Sequence, residues 1–432
     1  MAKICPYLLV LVCSVALGEN WPQWRGPQND GISTATDVPT NWSQTENVVW
    51  RVPLPGPAGA TPVVWDDKIF VSSIEGDDLV LLGISTDGEI LWKRTVGTGN
   101  KDARGGEGNS ASPSPCTDGE LVWIFYGTGD LACFTVDGEP VWDFNVQDRY
   151  GEFDIQFGMT STPVLHDDAL FLQLIHGTMR GDYTVGKIIK LDKRNGEEIW
   201  AVDRPSDAKF ECKHSYASPF LYDDGETQFL VTHGADYTAG HSIDDGKELW
   251  RFEGLNGPSS YNTRKFDPTF RFVSSPGVSD GSIIIPTAKA GPTIALKVSD
   301  ALQGNVTEEP AALRWFLDKT PDVSIPLIHD GLVYCFRKDG RVFCCDLETG
   351  EEHYYERTHT AQHRSSPIFV DGHLIWCAKD GHCTVLKAGP EFEIVSEIEM
   401  NEPITASPVV ANGTLYLRTY DALYAIRSRD SQ

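Results

Sequence analysis

Positive charge is in short supply in this chain. Its 432 residues carry 36 Lys and Arg against 62 Asp and Glu, a net charge of −26. A surface this acidic repels a phosphate backbone, which excludes DNA and RNA as partners of the surface as a whole. Long apolar runs are also missing. The nearest, Ile4 to Val15, is too short to span a bilayer comfortably, which excludes a transmembrane helix. Helical periodicity is nearly absent, which excludes a helical bundle. No glycine loop of the nucleotide-binding kinds is present. His176, His214, His233 and His363 stand near no Gly-x-Ser-x-Gly elbow. The spacing of Cys377 and Cys383 and the scattered histidines give no zinc pattern, and no EF-hand loop occurs, so no metal ligands are assigned. The carboxylate pairs Asp66-Asp67, Asp167-Asp168 and Asp223-Asp224 recur with a repeat. Turn chemistry accounts for them better than glycoside hydrolysis does.

What the chain has is that repeat. A small residue followed by proline, an apolar strand and an Asp-Gly or Asn-Gly turn appears at Ser112-Pro113, Thr162-Pro163, Ser218-Pro219, Ser275-Pro276, Ser366-Pro367 and Ser407-Pro408. Weaker copies stand at Thr61-Pro62 and Ile325-Pro326. Each copy continues into a strand, a tight turn and an aromatic: Trp92, Trp142, Trp200, Trp250, Trp315, and Tyr354 or Tyr355. The marks lie about 40 to 57 residues apart, the range of stacked or radially arranged units. Each unit reads as four short strands, so the spacing predicts an all-β protein, an eight-bladed β-propeller of four-stranded antiparallel blades. Seven blades is the alternative, because two copies are degenerate.

The last copy holds only three strands, SPVVA, TLYLRT and ALYAI. The segment Asn47 to Arg51, which ends in the aromatic Trp50, supplies the missing one. The N-terminal strand is therefore expected to close the ring, which removes open sheet edges. Asp-Gly and Asn-Gly favour the positive φ angles of tight hairpins. The aromatics Trp50, Trp92, Trp142, Trp200, Trp250 and Trp315 are expected to wedge between blades.

The expected organisation is a signal peptide over 1–18, an extension over 19–46, one propeller domain over 47–427 and a disordered tail over 428–432. Lys3, the apolar run and Ala16-Leu17-Gly18 form the signal, with cleavage near Gly18. The mature protein is thus expected to be secreted or periplasmic, and monomeric. Cys5 and Cys13 leave with the signal. Of the eight cysteines that remain, Cys335 faces Cys344 if Asp339-Gly340 is a two-residue turn, which makes Cys335–Cys344 the candidate bridge. Buried free thiols are the competing reading.

In a propeller, the residues before the innermost strand of each blade line one mouth of the central channel. Here these are Arg104, Glu107 and Asn109; Gln156 and Met159; Lys213, His214 and Tyr216; Arg271; Gln362, His363 and Arg364; and Glu402. Arg264 and Lys265 join them from an insert over 254–272. Cations collect there although the protein is acidic. A basic funnel of this kind focuses an anionic ligand.

The segments Lys190 to Trp200 and Cys344 to Glu352 resemble the A-x-D-x-x-T-G-x-x-x-W docking repeat of pyrroloquinoline quinone (PQQ) propellers. The opening Trp21-Pro22-Gln23-Trp24-Arg25-Gly26-Pro27 and the closing Leu415 to Arg418 and Leu423 to Ile426 resemble secreted bacterial PQQ-binding-like β-propeller repeat proteins. The resemblance covers residues 21 to 427. It implies the propeller fold and one of two activities: alcohol or sugar dehydrogenation with PQQ and calcium at the axis, or noncatalytic scaffolding in the cell envelope. The dehydrogenases carry a vicinal disulfide over the quinone. Cys344-Cys345 would be that pair, but its place within the strand Arg341 to Asp346 reads as packing. Their calcium ligands and catalytic carboxylate find no counterparts here. The sequence therefore favours a noncatalytic binding or scaffolding propeller with envelope proteins or an anionic small molecule as partners. A PQQ-dependent oxidoreductase and a glycan-binding surface module are the alternatives.

Overall fold

The computed structural model describes residues 19–103 and 106–428. The proposed signal, Arg104 and the end of the tail from residue 429 lie outside the described residues. Eight sheets follow one another round a central channel, each with its strands in chain order from the axis outward. Blade 1 runs from Val63 to Thr98, blade 2 from Cys116 to Asn145, blade 3 from Val164 to Asp203 and blade 4 from Phe220 to Glu253. Blade 5 runs from Gly277 to Leu317, blade 6 from Leu327 to Arg357 and blade 7 from Ile368 to Glu399. Blade 8 takes three strands from Val409 to Ile426, and its outer strand is Val48–Pro53. Trp50 pairs with Ala425 and Val52 with Leu423, antiparallel. The ring closes as the sequence predicts.

The small-residue–proline repeat has a physical reason that the sequence alone conceals. The hydroxyl before each proline accepts a hydrogen bond from the backbone N–H at the same position of the preceding blade. Thr61 N–H donates to Ser114 Oγ (2.9 Å), Ser114 N–H to Thr162 Oγ1 (3.1 Å), and Thr162 N–H to Ser218 Oγ (2.8 Å). Ser218 N–H donates to Ser275 Oγ (2.9 Å), Ile325 N–H to Ser366 Oγ (3.1 Å), Ser366 N–H to Ser407 Oγ (3.0 Å), and Ser407 N–H to Thr61 Oγ1 (3.2 Å). The hydroxyls thus form a belt round the channel. It breaks between blades 5 and 6, where Ile325 has no oxygen to offer. Blade 2 also corrects a register: its belt residue is Ser114, followed by Pro115, and not Ser112. Ser112 Oγ instead accepts from Asn109 N–H (3.0 Å) within the preceding loop.

The aromatics act between blades. Each tryptophan lies on the turn glycine of the next blade and donates its indole N–H to a carbonyl there. Trp50 reaches Thr86 O (2.7 Å), Trp92 Val136 O (3.0 Å), Trp142 Lys193 O (3.0 Å), Trp200 Ile243 O (3.3 Å) and Trp315 Leu347 O (2.8 Å). A Cβ on Gly350 would come within 2.6 Å of the Trp315 ring, and one on Gly138 within 2.7 Å of Trp92. These turns also need positive φ, so glycine serves both purposes. Trp250 is the exception. Blade 5 has no such turn between its last two strands, and Gly304–Asn305 pairs instead in parallel with Trp250 and Arg251. The buried Trp250 indole N–H is left without a protein partner.

The extension is part of the fold. Asn412 N–H donates to Glu19 O (3.1 Å), and Trp21 bridges Val64 in blade 1. Thr117 N–H of blade 2 donates to Pro22 O (2.9 Å), and Leu165 N–H of blade 3 to Gln23 Oε1 (2.8 Å). Trp24 packs its ring against Phe220 of blade 4, and Ile32 bridges Phe369 of blade 7. All these partners lie at the end of the propeller where the first two strands of each blade turn. Residues 19–33 therefore lie across that mouth, with Trp21 and Arg25 wholly buried.

The proposed Cys335–Cys344 bridge does not fit the register. Phe336 pairs with Val342, so the turn is longer than two residues and Cys335 sits opposite Phe343. Cys344 then faces Tyr334 and points to the other side of the sheet. All eight described cysteines are buried, and none is bonded.

Candidate basic mouth of the channel

The open mouth is built from the links between blades and from the turns between second and third strands. A pocket of about 260 Å³ lies there. Its cations are Arg271 from the insert before blade 5, Lys289 and Lys338 from the turns of blades 5 and 6, and Arg364 from the link into blade 7. Glu107 and Asp322 are its carboxylates. Phe157, Thr160, Tyr216, Val273, Val323 and Gln362 complete the wall. Five residues singled out from the sequence thus converge on one pocket: Glu107, Tyr216, Arg271, Gln362 and Arg364.

Their partners define what remains free. Arg364 is paired with Glu107 and Lys338 with Asp322. The Arg271 guanidinium stands 3.5 Å from Glu211 and lies 4.9 Å above the Phe157 ring. The Tyr216 hydroxyl accepts from Phe157 N–H (3.3 Å), which ties the two aromatics of the wall together. Burial pushes the Tyr216 hydroxyl above its ordinary value, so it stays neutral. Among the described residues, no carboxylate lies within ion-pair distance of the Lys289 amine. The wall therefore offers the uncompensated Lys289 ammonium, flanked by three paired cations, beside an aromatic and aliphatic floor. It can seat a molecule that is anionic at one end and apolar at the other.

The remaining sequence-derived residues serve the scaffold. Lys213 Nζ donates to the carbonyls of Thr178 (3.2 Å) and Gly181 (2.6 Å). His214 Nε2 is 2.8 Å from Gly177 O, and burial lowers its basicity. Asn109 Nδ2 donates to Pro57 O (2.7 Å). His363 stacks on Trp376 with centroids 3.6 Å apart, and burial lowers its pKa to about 3. Gln156 is exposed, Met159 belongs to the core, and Glu402 binds Arg51 and Tyr424. Arg264 meets Asp318 at 3.5 Å. The search before each proline missed Lys289, Lys338 and Asp322. Lys338 precedes an Asp-Gly turn at the same mouth, and that pattern could have revealed it.

The opposite mouth has the other sign. There Asp30, Asp118, Asp167, Asp223, Asp224 and Asp280 surround a recess of about 520 Å³ beside the extension.

A ring of eight four-stranded blades with tryptophan docking defines the class as a PQQ-type β-propeller. The chain belongs to the outer membrane protein assembly factor BamB family, whose model matches residues 32–176 and 111–353. No curated protein sequence matches it. BamB from Moraxella catarrhalis is similar in structure, with a TM-score of 0.64 at 13% identity over 88% of this chain and 99% of that one. Quinohemoprotein alcohol dehydrogenase from Comamonas testosteroni gives 0.66 at 13% identity, covering 95% and 80%. A europium-containing methanol dehydrogenase gives 0.65 at 11%, covering 94% and 90%. At these identities the likeness is one of fold.

Among the described residues, no group of three or more His, Cys, Asp or Glu is placed to hold a metal ion. Cys344 and Cys345 do not overhang the channel. Cys344 packs in the core between blades 6 and 7, and Cys345 in the core between blades 5 and 6.

Proposed function

We propose that the protein is an extracytoplasmic, noncatalytic binding propeller. It holds the anionic end of a partner at its basic mouth and the partner's apolar part against Phe157 and Tyr216. The observation that carries this reading is the gathering of Arg271, Lys289, Lys338 and Arg364 round one pocket in a chain of net charge −26. Three of these cations have carboxylate partners, and the excess positive charge rests on Lys289, which attracts and orients an anion. Family membership favours a protein partner in the envelope, since the family is described as an outer membrane assembly factor. Export is supported by the apolar run Ile4 to Val15 and the small residues Ala16 and Gly18. Glu19 is hydrogen-bonded into blade 8, which suits a mature chain starting there. Among the described residues, no helix is long and apolar enough to cross a membrane.

The quinoprotein reading has two structural neighbours on its side, but no vicinal cysteine pair overhangs the channel, since Cys344 and Cys345 pack in the cores between blades. A titration with PQQ, followed by tryptophan fluorescence with and without Ca²⁺, separates the two. PQQ is a tricarboxylate, so the anion-binding reading expects weak quenching that is indifferent to calcium and fades with added salt. Tight, calcium-dependent quenching would overturn it in favour of a dehydrogenase.

A further inference from the structure

Cys377 and Cys383 stand directly opposite each other on neighbouring antiparallel strands of blade 7. Their Sγ atoms are 2.7 Å apart. The turn between them fixes this register: Ala378 N–H donates to His382 O (2.7 Å) and Gly381 N–H to Ala378 O (3.1 Å). Facing residues on antiparallel strands have Cα atoms roughly 4.5–5.5 Å apart, within the range that a disulfide spans. Both side chains are fully buried in the core that blade 7 shares with blade 8. Among the described residues, no other cysteines stand in this relation. Cys116 and Cys133 flank Trp123 from opposite sides, so a strand separates them. Cys335, Cys344 and Cys345 face Phe343, Tyr334 and Val333. Cys212 sits in the short turn Phe210–Lys213.

We propose that Cys377 and Cys383 become a disulfide when the chain folds in the presence of an external disulfide, such as oxidised glutathione or an oxidised dithiol oxidoreductase. One thiolate attacks the external disulfide, forms a mixed disulfide and expels one external thiolate. The second cysteine, losing its proton, displaces the other external sulfur. One S–S bond forms and one breaks, and the external compound takes up two electrons and both protons. Burial holds the Cys383 thiol well above its ordinary pKa, so the exchange belongs to folding, before blade 7 is packed. The bridge would pin the hairpin that carries Lys379. Lys379 Nζ donates to Gly106 O (2.8 Å) in the link between blades 1 and 2, beside Glu107 of the pocket. The inference depends on the extracytoplasmic reading only for where the oxidant is met.

The test is differential alkylation. The full chain is refolded in a glutathione redox buffer, and separately isolated after export. Each sample is unfolded and alkylated without reductant, then reduced and alkylated with a second reagent, and the sites are mapped by mass spectrometry. The expected result is that Cys377 and Cys383 carry only the second label, and that their joined peptide is lighter by two hydrogens before reduction. Cys116, Cys133, Cys212, Cys335, Cys344 and Cys345 carry the first. First-label modification of Cys377 and Cys383 in the refolded sample overturns the proposal, as does a bridge from either to another cysteine. A bridge in the refolded sample that is missing after expression in the native host supports the pair and counts against export.

Discussion

The hydroxyl belt gives the sharpest test of how the repeat holds the ring together. Ser218 is the clearest site. Its Oγ accepts the Thr162 N–H at 2.8 Å, and its own N–H donates to Ser275 Oγ at 2.9 Å. Ser218 is 1% exposed and Thr162 6%, so water has poor access to either group. Ser218→Ala removes the oxygen, leaves the next link intact and changes little in volume. The Thr162 N–H then stays buried without a partner, which costs about 1–3 kcal/mol. Ser366→Ala and Ser407→Ala each strand one buried N–H in the same way and should fall in the same range. Urea unfolding followed by tryptophan fluorescence reads the difference, with the m-value checked so that a shifted midpoint can be taken as stability. A loss below about 0.5 kcal/mol at all three sites, no more than ordinary surface substitutions give, would refute the reasoning. The repeated proline marks would then reflect strand geometry alone.

Three further outcomes follow. Trp315→Ala should cost about 3–5 kcal/mol, because it empties an inter-blade contact and deletes the bond to Leu347 O; Gly350→Ala should also destabilise, since its Cβ would strike that ring at a positive φ. Trp21→Ala should loosen the extension from blades 1 and 8, which limited proteolysis between residues 19 and 40 would detect. Burial lowers His363 and His233 to about 3 and His176 and His241 to about 4. The unfolded chain therefore binds more protons below pH 6.5, and stability present above that value is lost as pH falls towards 4. Each histidine contributes about 2 kcal/mol of loss between pH 7 and pH 5, and His363→Phe should reduce the drop by about that much.

The fold was legible because blade geometry repeats the same chemistry. Proline marks, Asp-Gly turns and an aromatic at each outer strand recur often enough that Val48–Pro53 could be assigned to blade 8 although its pairing partners lie at the far end of the chain, Pro53 with Ala422 and Val48 with Ile426. Local registers were less legible. Ser112-Pro113 and Ser114-Pro115 offer the same mark twice, and only the contact with Thr61 chooses between them. The turn at Asp339-Gly340 looked like a two-residue hairpin, yet Arg337 N–H bonds to Arg341 O (2.7 Å) and lengthens it. That one-residue shift sets Cys335 opposite Phe343 and Cys344 opposite Tyr334, on different sides of the sheet. The mouth was half legible. Charge and position before proline found Arg271 and Arg364 but also Lys213, whose amine is fully occupied by carbonyls. Sequence gives a cation's place in the chain, whereas its availability depends on which acceptors the folded loops bring to it.

In the proposed function the open mouth binds an anion beside an apolar group. The most direct measurement is calorimetric titration with 4-phenylbutyrate and with its neutral amide. It is made on the wild-type protein and on a variant carrying Arg271→Gln, Lys289→Gln and Arg364→Gln. The acid is expected to bind the wild type at least about tenfold more tightly than the amide, the effect of one charge-assisted hydrogen bond. The triple substitution is expected to abolish this preference while circular dichroism is unchanged. Equal binding of acid and amide, or an undiminished preference in the folded variant, would contradict it.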